Sequence, residues 1–360
     1  MTAISLLLCT RNRAAKLVAT LGSIERAIDD APGVTIEVVI VDNGSTDHTA
    51  DRLAAWSAGQ SFPVHLLHEP RPGLARARNT GLARTSGRIV AMTDDDCVLH
   101  RGYFGQLATC FVEVTGPAII GGRILLGDPD DLPVTIKLED HPMIAPADGF
   151  PGGFVMGANL AMTADAIARV GAFDTRFGAG ARFVSAEDTD FLFRALGQGI
   201  PVLYDPRFVV DHHHGRRCPK DAIKLLAGYS YGDGALYAKH VRHSPRIRAI
   251  IANDLRAVAK DFTAPVTPCE GIRYFYLFSL RHKIAGFLAY VGARWWGGGA
   301  LRRMVLAFGA RDRAAQYAAG IRETPIAARR NRPMRIASQP MNARSDRAGR
   351  VVRLFSQKSE

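Results

Sequence analysis

At 360 residues, with 47% hydrophobic and 22% charged side chains, the chain has an ordinary globular composition and room for a sizeable core. Its net charge of +12 is uneven, because residues 321–360 carry nine arginines and one lysine against Glu323, Asp346 and Glu360. With Pro325, Pro333 and Pro340 and few large apolar residues, that segment is expected to be a basic, disordered tail. It lacks the interleaved aromatics of a base-stacking surface, so no nucleic acid is expected as partner.

In chain order, Ile4 to Cys9 reads as a strand and Arg13 to Ile28 as a helix with Leu17, Leu21, Ile24 and Ile28 on one side. Ile36 to Val41 and Asp47 to Trp56 repeat the pair, as do Val64 to His68 and Leu74 to Ala83. Arg88 to Thr93 is a fourth strand. Short strands alternating with helices imply parallel pairing in an α/β sheet, whose ligands bind at the carboxyl ends of the strands. A helix from Arg101 to Phe111 and a strand from Ala118 to Leu125 follow. The Pro- and Asp-rich stretch from Asp128 to Pro151 reads as a loop or lid. Beyond Gly152-Gly153 and a short run to Asn159 come helices near Ala164 to Val170 and Glu187 to Leu196, then a strand at Pro201 to Tyr204. From Lys220 to about Ala310 the pattern is helical and basic.

The polar clusters fall at or just after the predicted strand ends. Thr10-Arg11-Asn12-Arg13 follows the first, and Asp42-Asn43-Gly44-Ser45-Thr46-Asp47 the second, with Thr46 or Asp47 placed to cap the next helix. Arg71 to Asn79 opens the third helix, and Asp94-Asp95-Asp96 ends the fourth strand. Three adjacent carboxylates bring nothing to a core but suit a hard divalent cation, Mg²⁺ or Mn²⁺. Singly each cluster has a bland reading as a turn, a cap or a solvated face. Together they form one rim able to hold a nucleoside diphosphate, with arginines and a metal neutralising phosphate charge. Neither GxGxxG nor GxxxxGK[ST] is present, which weighs against dinucleotide and P-loop folds.

On these motifs, and on Gly73-Leu74-Ala75-Arg76-Ala77-Arg78-Asn79-Thr80-Gly81-Leu82 and Glu187-Asp188-Thr189-Asp190-Phe191, the sequence resembles family 2 glycosyltransferases of the GT-A fold. The resemblance runs from Ile4 to His214. It implies a GT-A, mostly parallel sheet with flanking helices over residues 1–215, and a helical extension over 216–320 ahead of the tail. Residues 1–100 would be the nucleotide-binding half and 101–215 the acceptor half. It also implies a metal-dependent, inverting sugar transfer from a nucleotide-diphosphate-sugar to a glycan or lipid-linked acceptor, in polysaccharide or glycoconjugate synthesis.

Thr10, Arg11, Asn12, Arg13, Asp42, Asn43, Arg78, Asp94 and Asp95 would then bind the nucleotide-sugar. Asp96 would hold Mn²⁺ or Mg²⁺, although a run of three acids allows two registers. Asp188 would be the general base, with Glu187 beside it, and both also suit a helix N-terminus. Gly157 and Asn159 resemble the loop that closes on donor and acceptor. Of Asp211-His212-His213-His214, either His212 or His214 is expected near the metal, because consecutive residues of an extended run cannot all converge on one ion.

Two other functions fit parts of the pattern. An NDP-sugar-forming nucleotidyltransferase would carry a glycine-rich loop after the first strand, which Thr10 to Ala15 lacks. A non-catalytic binding subunit has no need of Asp94, Asp96 and Asp188 together.

Five scattered cysteines without a CxxC pair argue against a disulfide framework and a structural zinc site, and no secretory signal precedes Ile4. A cytoplasmic location is expected, with peripheral contact to the inner face of an anionic membrane as a further expectation. The nearest candidate for a membrane span, Tyr274 to Trp296, is interrupted by Arg281, His282, Lys283 and Arg294. It reads as an interfacial or a buried amphipathic helix.

Overall fold

Successive side chains of the first strands are buried on opposite faces. Leu6, Leu8, Val38, Ile40 and Ala91 enter one apolar layer, while Leu7, Val39, Val41, Val90 and Met92 enter the other. Strands covered on both faces are the mark of a sheet sandwiched by helices. The computed structural model describes residues 3–112, 114–265 and 270–295, and these divide into two compact units. The tail expected over 321–360 and the last part of the helical extension lie outside the described residues.

The first unit comprises residues 3–182 and Ala186–Cys218. Its elements are β1 (Ala3–Thr10), α1 (Leu17–Asp29), β2 (Thr35–Asp42), α2 (Thr49–Ala58), β3 (Val64–His68), α3 (Leu74–Leu82), β4 (Ile89–Asp94) and β5 (Cys97–Leu99). Then come α4 (Tyr103–Val112), β6 (Ile119–Leu126), β7 (Met143–Ile144), β8 (Asn159–Thr163), α5 (Ala164–Val170), α6 (Glu187–Gly197) and β9 (Val202–His212). The sheet order is β3-β2-β1-β4-β8-β6-β9-β5, with β7 on β9.

The α/β architecture with flanking helices is as expected, and its parallel pairing is concentrated in the first half. There β3, β2, β1 and β4 are all parallel, whereas β8 runs antiparallel to both β4 and β6. The register brings the carboxyl ends level: Thr10 is opposite Asp42, Cys9 opposite Asp94, and Asp42 opposite His68. One row of strand tips therefore carries the predicted donor-side residues.

The second unit comprises Phe183–Ser185 with residues 219–295 as far as these are described. It holds α7 (Pro219–His240), α8 (Pro245–Ala257), α9 (Lys260–Thr263) and α10 (Phe275–Trp295). Helices α7 and α10 touch backbone to backbone through glycine. A Cβ on Gly234 would sit 1.8 Å from the Lys283 carbonyl oxygen, and one on Gly286 would sit 1.9 Å from that of Tyr231. Asp254 of α8 ties both helices, accepting from Tyr237 Oη at 2.8 Å and Lys283 Nζ at 2.7 Å. Among the described residues no helix is long and apolar enough to cross a membrane.

Candidate active site

Asp94, Asp95 and Asp96 leave β4 in three different directions, and their partners separate their roles. Asp95 turns inward, where Oδ2 accepts from Thr10 Oγ1 at 2.7 Å and Oδ1 lies 3.3 Å from Arg13 Nε. Burial pushes its pKa up to about 6, against the Thr10 hydrogen bond and the Arg13 charge. Both oxygens are thus committed to β1 and the loop after it, so Asp95 buttresses the strand end.

Asp96 faces His212, whose Nε2 is 3.3 Å from Oδ1, and Arg13 Nη2, 3.5 Å from Oδ2. Burial alone would raise the Asp96 pKa, but the hydrogen bond and charge of His212, with Arg13 and Arg216, hold it below the usual carboxylate value. The His212 ring is oriented from behind by Thr135, whose Oγ1 and carbonyl oxygen each lie 3.2 Å from Nδ1. Backing a ring nitrogen with a carbonyl is the arrangement that leaves the other nitrogen free for a ligand role.

His214 is not brought to this cluster. Its Nε2 lies 3.1 Å from the Leu132 carbonyl oxygen and its Nδ1 accepts from the Arg216 amide at 3.0 Å, so both ring nitrogens are spent on backbone. The reason is local: β9 ends at His212, and the chain turns to meet the loop anchored by Asp131, which accepts from the Gly215 amide at 2.8 Å. Among the described residues, the group able to surround a cation is instead Asp96, Cys97 and His212, whose donor atoms all lie within 4.8 Å of one another. Carboxylate oxygen and imidazole nitrogen suit Mn²⁺ or Mg²⁺, whereas the Cys97 thiol is buried, with its pKa raised well above the ordinary value, and adds a soft donor that such ions do not select. The expected ion therefore fits the first two residues.

The loops after β1 and β2 hold each other. The Asn12 side-chain oxygen accepts from the Thr46 amide at 2.8 Å, and the Asn12 amide donates to Ser45 Oγ at 2.9 Å. Asn12 pays for this position with a left-handed φ of 54°. Asp42 Oδ1 accepts from the Ser45 amide at 3.0 Å, while Oδ2 lies 3.6 Å from His68 Nδ1. Asn43 has no polar group left for a ligand-facing role beyond a spare lone pair. Its Nδ2 donates to the carbonyls of Glu69 at 3.0 Å and Arg71 at 2.8 Å, and its Oδ1 accepts from the Gly73 amide at 2.8 Å. Arg11 is exposed on the same rim.

Arg78 is buried behind the strand tips, against Asp94 and Glu187. Its side chain is only 4% exposed, with Nη1 donating to Glu187 Oε1 at 2.9 Å and Nη2 lying 3.5 Å from Asp94 Oδ1. The guanidinium also lies over the Phe173 ring at 5.6 Å. It joins Asp94, at the end of β4, to Glu187, which opens α6. Glu187 is preceded by Ala186, held in the left-handed region at φ 69°. Non-glycine residues persist there only when their surroundings fix them, and they cluster at functional sites.

Asp188 turns to the loop before β8, where Oδ2 accepts from the Gly157 amide at 3.1 Å, and Oδ1 accepts from its neighbour, the Thr189 amide, at 2.7 Å. A Cβ on Gly157 would lie 2.5 Å from Arg78 Nη2, so any larger residue there would have to push the guanidinium from its place. Asn159 lies on the same loop but faces inward. It is fully buried, donating to the carbonyls of Arg123 at 2.9 Å and Phe208 at 3.2 Å and accepting from Tyr103 Oη at 2.9 Å. It anchors β8 to β6 and β9 instead of lining the cleft. Thr135 and Cys97 join the Asp96–His212 cluster with no local sequence signal to mark them. A threonine in a proline-rich loop and a cysteine after three acids carry no signal of their own.

Residues 5–140 match the family model described as glycosyl transferase family 2. Over 214 residues the chain is 29% identical to a pre-mycofactocin glycosyltransferase of Mycobacterium tuberculosis, covering 57% of this chain and 43% of that protein. Over 93 residues it is 32% identical to glycosyltransferase AglE of Haloferax volcanii, covering 26% of this chain and 30% of that protein. The chain thus spans less than half the length of these relatives. Among solved structures, a mannosyltransferase from Pyrobaculum calidifontis in complex with GDP-Man and Mn²⁺ gives a TM-score of 0.50 at 19% identity, covering 86% of this chain and 80% of that one. At that identity the likeness speaks for the fold, which is that of GT-A glycosyltransferases.

Proposed function

We propose that the chain is an inverting glycosyltransferase that moves a sugar from a nucleotide-diphosphate-sugar to a hydroxyl of a glycan or lipid-linked acceptor. The observation that carries this reading is Arg78. It joins Asp94 at the donor rim to Glu187 at the acceptor side, and Asp188 lies one residue further, against Gly157. A scaffold that only bound a partner would not need to bury a cation between two sets of acids, which is costly unless the geometry is kept.

In this reading the carboxyl edges of β1, β2 and β4 receive the nucleotide, with Asp42 and Arg11 reaching the base, ribose or phosphates and Asp94 the ribose. Asp96 and His212 would hold Mn²⁺ or Mg²⁺, and such an ion, when bound, offsets the charge of the departing diphosphate. Arg13 keeps Asp96 placed. Asp188 accepts the proton of the acceptor hydroxyl as its oxygen attacks the anomeric carbon. The bond from that carbon to the diphosphate oxygen breaks on the opposite face, so the configuration inverts. Glu187, held by Arg78, shapes the acceptor side.

Substituting Asp96 by Ala is expected to remove the Mn²⁺-dependent part of UDP or GDP binding, because the ion loses its carboxylate ligand. Calorimetric titration with and without Mn²⁺ measures it. Binding that is as tight and as metal-dependent in Asp96→Ala would take the ion away from this residue.

The acceptor side of the proposal includes contact with an anionic membrane. Helix α10 exposes Leu277, Ile284, Leu288 and Val291 at helical spacing along one side, with Arg281 and Arg294 on the same helix. The full chain is expected to float with vesicles containing anionic lipid and to stay behind with neutral ones. Absence of flotation in both removes this partner.

A further inference from the structure

Among the arginines of the first unit, Arg123 is placed differently. Arg78, Arg194 and Arg207 each hold a carboxylate, Glu187, Asp190 and Asp205 respectively. Arg123 has no carboxylate within ion-pair distance among the described residues, and its Nε is sealed from solvent without any hydrogen-bond partner. The side chain as a whole is half-buried. A buried donor on a cation is normally satisfied, and leaving it open is a standing cost that a ligand would remove.

Its position follows from the sheet. Met92 of β4 is opposite Leu160 of β8, and Leu160 is opposite Gly121 of β6. Arg123 is therefore level with Asp94, two strands away, which is about 10 Å at the usual strand spacing. Ile124 points into the layer that contains α1 and α4, so Arg123 points to the opposite face, on which Ala75 and Ala77 of α3 and Phe191 of α6 pack. The segment Phe154–Asn159 runs beside it. Val155 would be 2.3 Å from a Cβ on Gly121, Gly157 donates to Asp188, and Asn159 donates to the Arg123 carbonyl. At the start of the same segment the Lys137 Nζ lies 5.3 Å from the Phe154 ring and 5.0 Å from that of Tyr204. Lys137 is already paired with Glu139 at 2.9 Å, whereas Arg123 feels only the more distant charge of Asp140 and makes no ion pair among the described residues.

We propose that Arg123 binds an anionic group, a carboxylate or a phosphate, of the acceptor that presents its hydroxyl to Asp188. This inference rests on the transferase reading above and names the acceptor class. A guanidinium suits both anions, because its paired donors match two oxygens of either. A sugar acid and a sugar or lipid phosphate share that chemistry.

The test uses the full chain saturated with Mn²⁺ and with whichever of UDP and GDP binds, titrated with glucose, glucuronate and glucose 6-phosphate and followed by saturation-transfer NMR. At least one of the two anions is expected to bind about tenfold or more tighter than glucose. Arg123→Gln should bring it to the glucose level with nucleotide affinity unchanged, and Arg123→Lys should keep part of the preference. Tighter binding of glucuronate assigns a carboxylate, and of glucose 6-phosphate a phosphate. Equal binding of all three sugars overturns the proposal, and so does an anion preference that survives Arg123→Gln. A preference for a uronate over a neutral donor that vanishes in Arg123→Gln, with no effect on the free sugars, would move the anion to the donor and overturn it too. Failure of both UDP and GDP to bind would sink the transferase reading itself, and this inference with it.

Discussion

Replacing Asp188 by Asn is expected to leave nucleoside diphosphate and Mn²⁺ binding intact while slowing sugar transfer by about 10²- to 10⁴-fold, the usual worth of a positioned general base. The amide keeps the shape of the carboxylate and can still accept from the Gly157 and Thr189 backbone amides through its oxygen, so the loop before β8 should hold its place. What is lost is the ability to take a proton. Transfer assays against donor titrations separate the two effects. Wild-type turnover in Asp188→Asn would remove the residue from its role, and a parallel loss of nucleotide affinity would make it structural.

The second large effect concerns stability. Arg78→Met is expected to cost about 3–5 kcal/mol, because it leaves a buried carboxylate without its counter-charge. Burial, followed by the charge of Asp188, already pushes Glu187 up to about 7 against the pull of Arg78. Without the arginine the pKa rises further. A carboxyl group with its folded pKa above its unfolded value binds more protons when folded, so the stability tied to it is present at low pH and lost as pH rises through the folded pKa. The deficit of Arg78→Met should therefore be small near pH 5 and grow towards pH 8. Urea unfolding at the two pH values measures it, and a deficit that is equal at both, or larger in acid, would show that the Arg78–Glu187 pair does not govern this region.

The strands that carry the donor rim were legible because each is an apolar run closed by a polar cluster, and β3 was placed to the residue. What escaped were elements whose partners lie far away in sequence. The β8 run Asn159–Thr163 is five residues between a glycine-rich loop and a helix capped by its own last residue, Thr163, so nothing in its period marks a strand. Strand β9 was seen only at its start, because Pro206 interrupts the pattern where Asp205 and Arg207 pair across a bulge. The site followed the same division. Ordered motifs revealed which residues gather, but the orientation of each depended on contacts no local pattern encodes. Asn43 and Asn159 read as loop residues open to ligands, and their amides turned out to be consumed by backbone groups of distant elements. His212 and His214 were equivalent by spacing, and the end of β9 separated them.

The antiparallel seat of β8 has a consequence for how the chain is made. Thr93 pairs with Asn159, so the outer edge of β4 stays open until about 65 further residues have left the ribosome. During that interval a strand of Ile89, Val90, Ala91 and Met92 is paired only with β1, and its free backbone edge is a template for any other extended segment nearby. The three carboxylates that end this strand then serve as gatekeepers: their mutual repulsion opposes stacking of one nascent chain on another.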